Sequence, residues 1–144
     1  MKRKTIAVTL FAMLGSLAAF GFWSQRIIVE VPFDYYVSGV AMPAGTYLID
    51  GHTQTQSILF VRNIRGTASA IVATRPEGIA THGRSELLFH RYGNTYFLAR
   101  VTDGVSGAMR RLPVSDQEKE LVAQAPPGME VLALVVHEAP LEIR

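Results

Sequence analysis

The stretch Glu86-Leu87-Leu88-Phe89-His90-Arg91-Tyr92-Gly93-Asn94-Thr95-Tyr96-Phe97-Leu98-Ala99-Arg100-Val101 decides the fold. Two runs rich in aromatic and aliphatic residues flank Gly93-Asn94, and a glycine at the first loop position suits a type II′ hairpin turn. A two-residue loop sets the register. It pairs Arg91 with Tyr96, Phe89 with Leu98 and Leu87 with Arg100 on one face, and His90 with Phe97 and Leu88 with Ala99 on the other. Both faces carry apolar residues, so the hairpin belongs at the centre of a sheet.

Upstream, Ile27, Val29, Val31, Phe33, Tyr35 and Val37 alternate with more polar neighbours, the period of a half-buried strand. Pro32 cannot donate to a ladder, which places this strand at an edge or at a bulge. Met42-Pro43-Ala44-Gly45 is a turn, and Thr46 to Ile49 is the partner strand. The polar run from Asp50 to Gln56 reads as a loop. Strands follow at Ile58 to Arg62 and Ala68 to Thr74, and the segment between Arg75 and Arg84 reads as a loop around Pro76, Gly78 and Gly83.

Downstream, Gly104 to Gly107 reads as a flexible connection. Ser115 and Glu118 have the spacing of a capping box, with Asp116, Glu118 and Glu120 enriching the first turn in acid. Leu121, Val122 and Ala125 give this short helix an apolar stripe, and Pro126-Pro127-Gly128 stops it. Met129 to His137 is a last strand, and the tail from Glu138 to Arg144 either extends it or hangs free. The expected fold is all-β: about seven antiparallel strands in a sandwich or small barrel, with one short helix in the C-terminal half.

Residues 1–25 stand apart as a signal peptide, and residues 26–144 form a single β domain. Lys2, Arg3 and Lys4 precede 18 uncharged residues from Ile6 to Trp23, followed by small-x-small sites ending at Ala18 and Gly21. The chain is therefore expected to be exported, to the periplasm or the extracellular space. The alternative is an inner-membrane anchor through Ile6 to Trp23, which approaches the roughly 20 residues that span a bilayer. Export also reverses the charge reading. Three of the 14 basic residues lie in the n-region and all 12 acidic ones lie beyond residue 25, leaving 11 basic against 12 acidic. A nucleic-acid partner would need a basic stripe, and the domain has none. The chain has no cysteine, which excludes disulfides, thiolate metal sites and a lipid-modified cysteine.

Three segments together resemble a group of small, exported, functionally uncharacterised bacterial β proteins. They are Val31-Pro32-Phe33-Asp34-Tyr35-Tyr36-Val37, Met42-Pro43-Ala44-Gly45-Thr46-Tyr47, and Leu88-Phe89-His90-Arg91-Tyr92-Gly93-Asn94-Thr95-Tyr96-Phe97-Leu98. They match VPFxF, LPAGxY and FHRYGxxYFL-type motifs over about positions 29 to 122, with Met42 where Leu is usual and Asn94 where Asp is usual. The resemblance implies export and a compact β domain, and it carries over no catalytic residue.

The residues offer little chemistry. His52, His82, His90 and His137 share no metal-ligand spacing, so no metal and no cofactor are implied. Gly104-Val105-Ser106-Gly107-Ala108 departs from a G-x-S-x-G elbow at its last position. Glu86, His90 and Arg100 sit near one another, but the register above puts His90 and Arg100 on opposite faces. The strand aromatics Phe33, Tyr35, Tyr47, Phe60, Phe89, Tyr92, Tyr96 and Phe97 either pack the core or line a barrel mouth for an apolar ligand or peptide. In the second case Arg91 over Tyr96 is the polar anchor, with His90 and Tyr92 beside it.

The favoured reading is a non-catalytic binding or structural module of the cell envelope, its partner an envelope protein or a small apolar ligand. A ligand-binding barrel is the first alternative and would show an internal cavity. A hydrolase is the second and would show a cleft around a buried, hydrogen-bonded Asp or His. Self-association is expected through an edge strand from Val31 to Val37.

Overall fold

The computed structural model describes residues 26–51, 57–81, 83–124 and 128–135. Residues 1–25, expected as a signal peptide, lie outside the described residues, as do His52, His82, His137 and the tail. The fold is all-β and sandwich-like: among the described residues there are eleven strands and one helix, in two sheets, with no closed barrel. Seven strands were expected; the additions are short edge and corner pieces.

The smaller sheet contains β1 (Ile27–Val31), β4 (Gly45–Gly51), β5 (Ile58–Asn63) and β6 (Ser69–Ala73), in the order β1-β4-β5-β6. The larger sheet is built on β8 (Glu86–Tyr92) and β9 (Thr95–Thr102). Its order is β11-β8-β9-β10-β7, with β11 (Met129–Val135), β10 (Ala108–Arg111) and β7 (Arg75–Ile79). A small hairpin of β2 (Tyr35–Val37) and β3 (Val40–Met42) joins this sheet through a parallel bridge from Tyr36 to Phe97. Helix α1 (Asp116–Gln124) precedes β11.

The alternation over Ile27 to Val37 is real, with Ile27, Val29, Val31, Tyr35 and Val37 all buried. The segment is nevertheless two strands. Pro32 ends β1, and the chain crosses to the larger sheet before β2 begins. Asp34 Oδ1 accepts the Ala44 amide at 2.8 Å and ties this crossing to the turn before β4. Among the described residues the edges of the smaller sheet are therefore β1, Ile27–Val31, and β6, and Val31 and Val37 are fully enclosed. The expected edge from Val31 to Val37 does not exist as a unit.

Two further corrections concern the larger sheet. The loop expected between Arg75 and Arg84 begins as β7, an edge strand where Pro76 is tolerated because no ladder bond is needed. The connection at Gly104 to Gly107 is the turn of a β9–β10 hairpin.

The central hairpin turns at Gly93 with φ +61°, and Asn94 has no positive φ, as type II′ requires. Arg91 pairs with Tyr96, His90 with Phe97 and Phe89 with Leu98 as expected. Beyond Leu98 the register slips at a bulge, so Leu88 pairs with Arg100 and Leu87 with Val101. One extra residue moves Arg100 onto the same face as Glu86 and His90.

The core lies between the sheets. Val29, Tyr47, Ile49, Leu59, Val61 and Val72 of the smaller sheet meet Tyr35, Met42, Leu87, Phe89, Leu98 and Val101 of the larger. Its aromatics interlock edge to face: Tyr35 with Tyr47 at 5.2 Å, Tyr35 with Phe89 at 5.4 Å, and Phe33 with Phe89 at 5.0 Å. Each such contact adds roughly 0.5–1.5 kcal/mol beyond area burial.

Candidate functional site

Strand residues alternate between faces, so the hairpin divides the four candidate residues into two places. Arg91 and Tyr96 belong to the core-facing side. Arg91 lies 5.5 Å from the Tyr96 ring centre, and Tyr96 stacks on Phe33 at 3.9 Å. The Arg91 Nε–H donates to the Gly93 carbonyl at 2.8 Å, and its head group meets Glu130 at 3.5 Å. Arg91 and Glu130 are both well exposed, so this ion pair is worth at most a fraction of a kcal/mol. Of the aromatics expected to line a barrel mouth, Phe33, Tyr35, Tyr47, Phe89 and Tyr96 pack against one another, and Tyr92 packs on Phe97.

His90 and Tyr92 lie on the outer face, where α1 crosses the sheet. Ser115 caps this helix, its Oγ accepting the Glu118 amide at 3.2 Å. Glu118 does not close the expected capping box. Its Oε1 accepts from His90 Nδ1 at 2.8 Å and from the Tyr92 hydroxyl at 2.9 Å. An ionised carboxylate has only acceptors, so the contact puts a proton on His90 Nδ1 and, in the neutral ring, makes Nε2 the acceptor. Burial, with Glu118 adding its hydrogen bond and charge, pushes the Tyr92 phenol up to about 12. Glu118 is the buried residue of α1, while Val122 of the expected apolar stripe is 41% exposed. A carboxylate, not an apolar stripe, holds this helix down.

The helix lies against one half of the outer face, where Glu118 bonds His90 and Tyr92 and where Gln117, Glu120, Leu121 and Gln124 border a small cleft with Tyr36 and Phe97. Those rings pack on one another, Tyr36–Phe97 at 5.4 Å and Tyr92–Phe97 at 5.8 Å. The other half is open. It forms a concavity of about 660 Å³ lined by Ile79, Ala80, Thr81, Arg84, Glu86, Arg100, Thr102 and Met109. The bulge in β9 is what brings Arg100 here. Arg100 reaches Glu77 at 3.6 Å and Glu86 at 3.8 Å, and Arg111 Nε–H donates to Glu77 at 2.8 Å. The Arg111 hydrogen bond holds the Glu77 carboxyl below the usual carboxylate range. Arg100 and Arg111 are therefore tied to Glu77 and Glu86 at the side of a concavity whose lining also holds Arg84 and the apolar Ile79 and Met109.

Other polar groups serve the frame. Asp103, fully buried, accepts the Val105 amide at 2.9 Å and the Ser106 hydroxyl at 2.8 Å, which shapes the β9–β10 turn. The elbow-like Gly104 to Ala108 segment thus lies between two strands, with Ser106 engaged by Asp103. Sequence reasoning missed Arg110. It is 4% exposed and shares the core-facing side with its pair partner Val101, and its Nε has no hydrogen-bond partner. Burial pulls its pKa down.

Among the described residues no cluster of three His, Asp or Glu could hold a metal ion, and no helix is long and apolar enough to cross a membrane. No known protein family, curated protein or solved structure matches the chain.

Proposed function

We propose that the chain is an exported, non-catalytic binding or structural module of the cell envelope, acting through the outer face of its larger sheet. The observation that carries this reading is the open half of that face. It is concave, about 660 Å³, and sets Arg84 and Arg100 beside exposed Ile79 and half-buried Met109. A surface of this make-up suits an envelope protein or a small amphipathic ligand that brings an anionic group to the arginines and an apolar part to the floor. Export rests on Lys2-Arg3-Lys4 ahead of Ile6 to Trp23, and the resemblance to small exported β proteins agrees with it. The destination is the periplasm or the extracellular space, or the inner membrane if the segment is retained.

Native mass spectrometry on protein recovered from the envelope of its own host tests the reading. A chain beginning after Ala18 or Gly21 supports export and cleavage, and the full 15.8 kDa supports an anchor. A bound ligand or partner should be lost when Ile79→Asp and Arg84→Glu are combined, with the melting temperature unchanged. A bare chain, indifferent to both changes, overturns the binding surface. The hydrolase alternative rests on the His90–Glu118 pair. Ester or peptide hydrolysis abolished by His90→Gln, in a protein still folded, would establish that alternative instead.

A further inference from the structure

The edges of the two sheets are not equally protected. β7 carries Arg75, Pro76 and Glu77, with Gly78 at φ +118° and a register shift opposite it, all features that blunt an edge. β1 is only five residues long, contains Glu30 and stops at Pro32. β6 is also five residues long and is approached by β3. β11 differs from all of them. It runs seven residues, Met129–Val135, with a single charge, no proline and no lysine. One side is paired to β8 along its whole length, and among the described residues the other is the edge of the sheet.

Its side chains make it an adhesive edge. Met129 and Val131 are 48% and 57% exposed on the outer face, in register with Tyr92 and His90. Leu132 and Leu134, half-buried, continue the core face beside Phe89 and Leu87. A strand added here must offer apolar residues to both faces. β11 itself has that pattern.

We infer that the chain self-associates by antiparallel pairing of β11 with β11 of a second copy. A two-fold axis through Leu132 is the register that pairs all seven residues. It sets Leu132 against Leu132, Val131 against Ala133 and Glu130 against Leu134, joining the two larger sheets into one. The two Glu130 carboxylates are then four strand positions apart, about 13 Å. Each keeps its own Arg91, 3.5 Å away, as counter-charge. The charge pattern thus selects this register over the one centred on Glu130, which would oppose two carboxylates. Self-pairing through β11 is independent of export and of any ligand in the concavity.

Analytical ultracentrifugation and cysteine cross-linking on the full chain test it, and the absence of native cysteine makes single-cysteine variants unambiguous. The wild-type chain should sediment as a dimer. Val131→Lys, at an exposed position that folding does not need, should weaken the dimer roughly tenfold, because each cross-strand pair is worth up to about 1 kcal/mol and a two-fold dimer loses two of them. Ile71→Lys on β6 should not. Leu132→Cys should give a disulfide-linked dimer on oxidation, and Ile28→Cys on β1 should not. A monomeric wild type, a Val131→Lys dimer of unchanged strength, or cross-linking through Ile28 and not Leu132 would each overturn the inference.

Discussion

Glu118→Ala should release α1 from the sheet while leaving the sandwich folded. The carboxylate is 4% exposed and accepts two hydrogen bonds, from His90 and Tyr92. Hydrogen bonds to a charged group contribute about 1.5–3 kcal/mol each when buried. Here both donors keep some contact with water and can turn to it, so the combined loss should be about 2 kcal/mol, toward the low end. A nine-residue helix has no independent stability at that length, so its survival depends on this one anchor. Hydrogen exchange is the decisive assay. In the variant the amides of α1 should exchange at nearly unprotected rates, while those of β8 and β9 keep their protection. Glu118→Gln retains one acceptor and should fall between. The Tyr92 phenol should titrate below about 12 in Glu118→Ala, because the carboxylate's hydrogen bond and charge are gone and the departing helix lessens the burial that is the larger cause of its shift. Unchanged protection of α1 would refute the latch. So would a stability loss above about 4 kcal/mol, a size that belongs to core disruption.

Three further outcomes are expected. Arg110→Met should stabilise the fold by about 1–2 kcal/mol in urea unfolding, because it keeps the buried stem and removes a desolvated cation with an unpartnered Nε; a loss of stability would show that the guanidinium is needed. Gly104→Ala should destabilise by about 1–3 kcal/mol, since its new Cβ would lie 2.4 Å from the Ser85 amide nitrogen, which is backbone and cannot swing away; a neutral result would mean the two chains separate easily. Glu77 is held below its ordinary pKa of 4.5 by Arg111, so its contribution is present above pH 4.5 and lost as pH falls through the lower folded value. Glu77→Gln should therefore flatten the acid limb of the stability curve between pH 4.5 and that lower value, and an unaltered limb would refute the coupling.

The parts of this fold that sequence made legible are those governed by neighbours along the chain. The Gly93-Asn94 turn, the alternation from Ile27 to Val37 and the Ser115 cap are local, and each is present. The failures arise where a distant contact decides. No glycine or proline marks the bulge at Ala99, yet that one residue turns Arg100 toward Glu86 and builds the concavity. Pro76 and Gly78 argue for a loop unless the strand lies at an edge, which only the assembled sheet reveals. Glu118 stood out as a capping residue three positions from Ser115, but its partners are 26 and 28 residues away on β8. His90 and Tyr92 were singled out as candidates for binding, and the same two side chains fasten the helix.

That arrangement follows from a central hairpin that is apolar on both faces. One face is satisfied by the other sheet. Phe97, Tyr36 and Tyr92 pack on one another on the opposite face, and α1 is held beside them although its own stripe is too weak to dock by apolar contact alone. A buried carboxylate meeting two donors on β8 replaces that missing affinity and fixes the helix at one position. Its placement determines what stays uncovered: the charged concavity beyond Leu88 on one side, and Met129 and Val131 of β11 on the other. The two surfaces assigned to binding and to self-pairing are thus the remainder of a single face, and the Glu118 latch sets the boundary of both. If α1 detaches in Glu118→Ala, both surfaces should grow by the apolar patch it covered. Exposed aromatic area next to an open edge strand is a known route to aggregation, so the variant should aggregate sooner than its modest loss of stability would predict. A rise in light scattering at temperatures where β8 and β9 remain protected from exchange would tie that behaviour to the uncovered face, whereas aggregation only on global unfolding would dissociate the two.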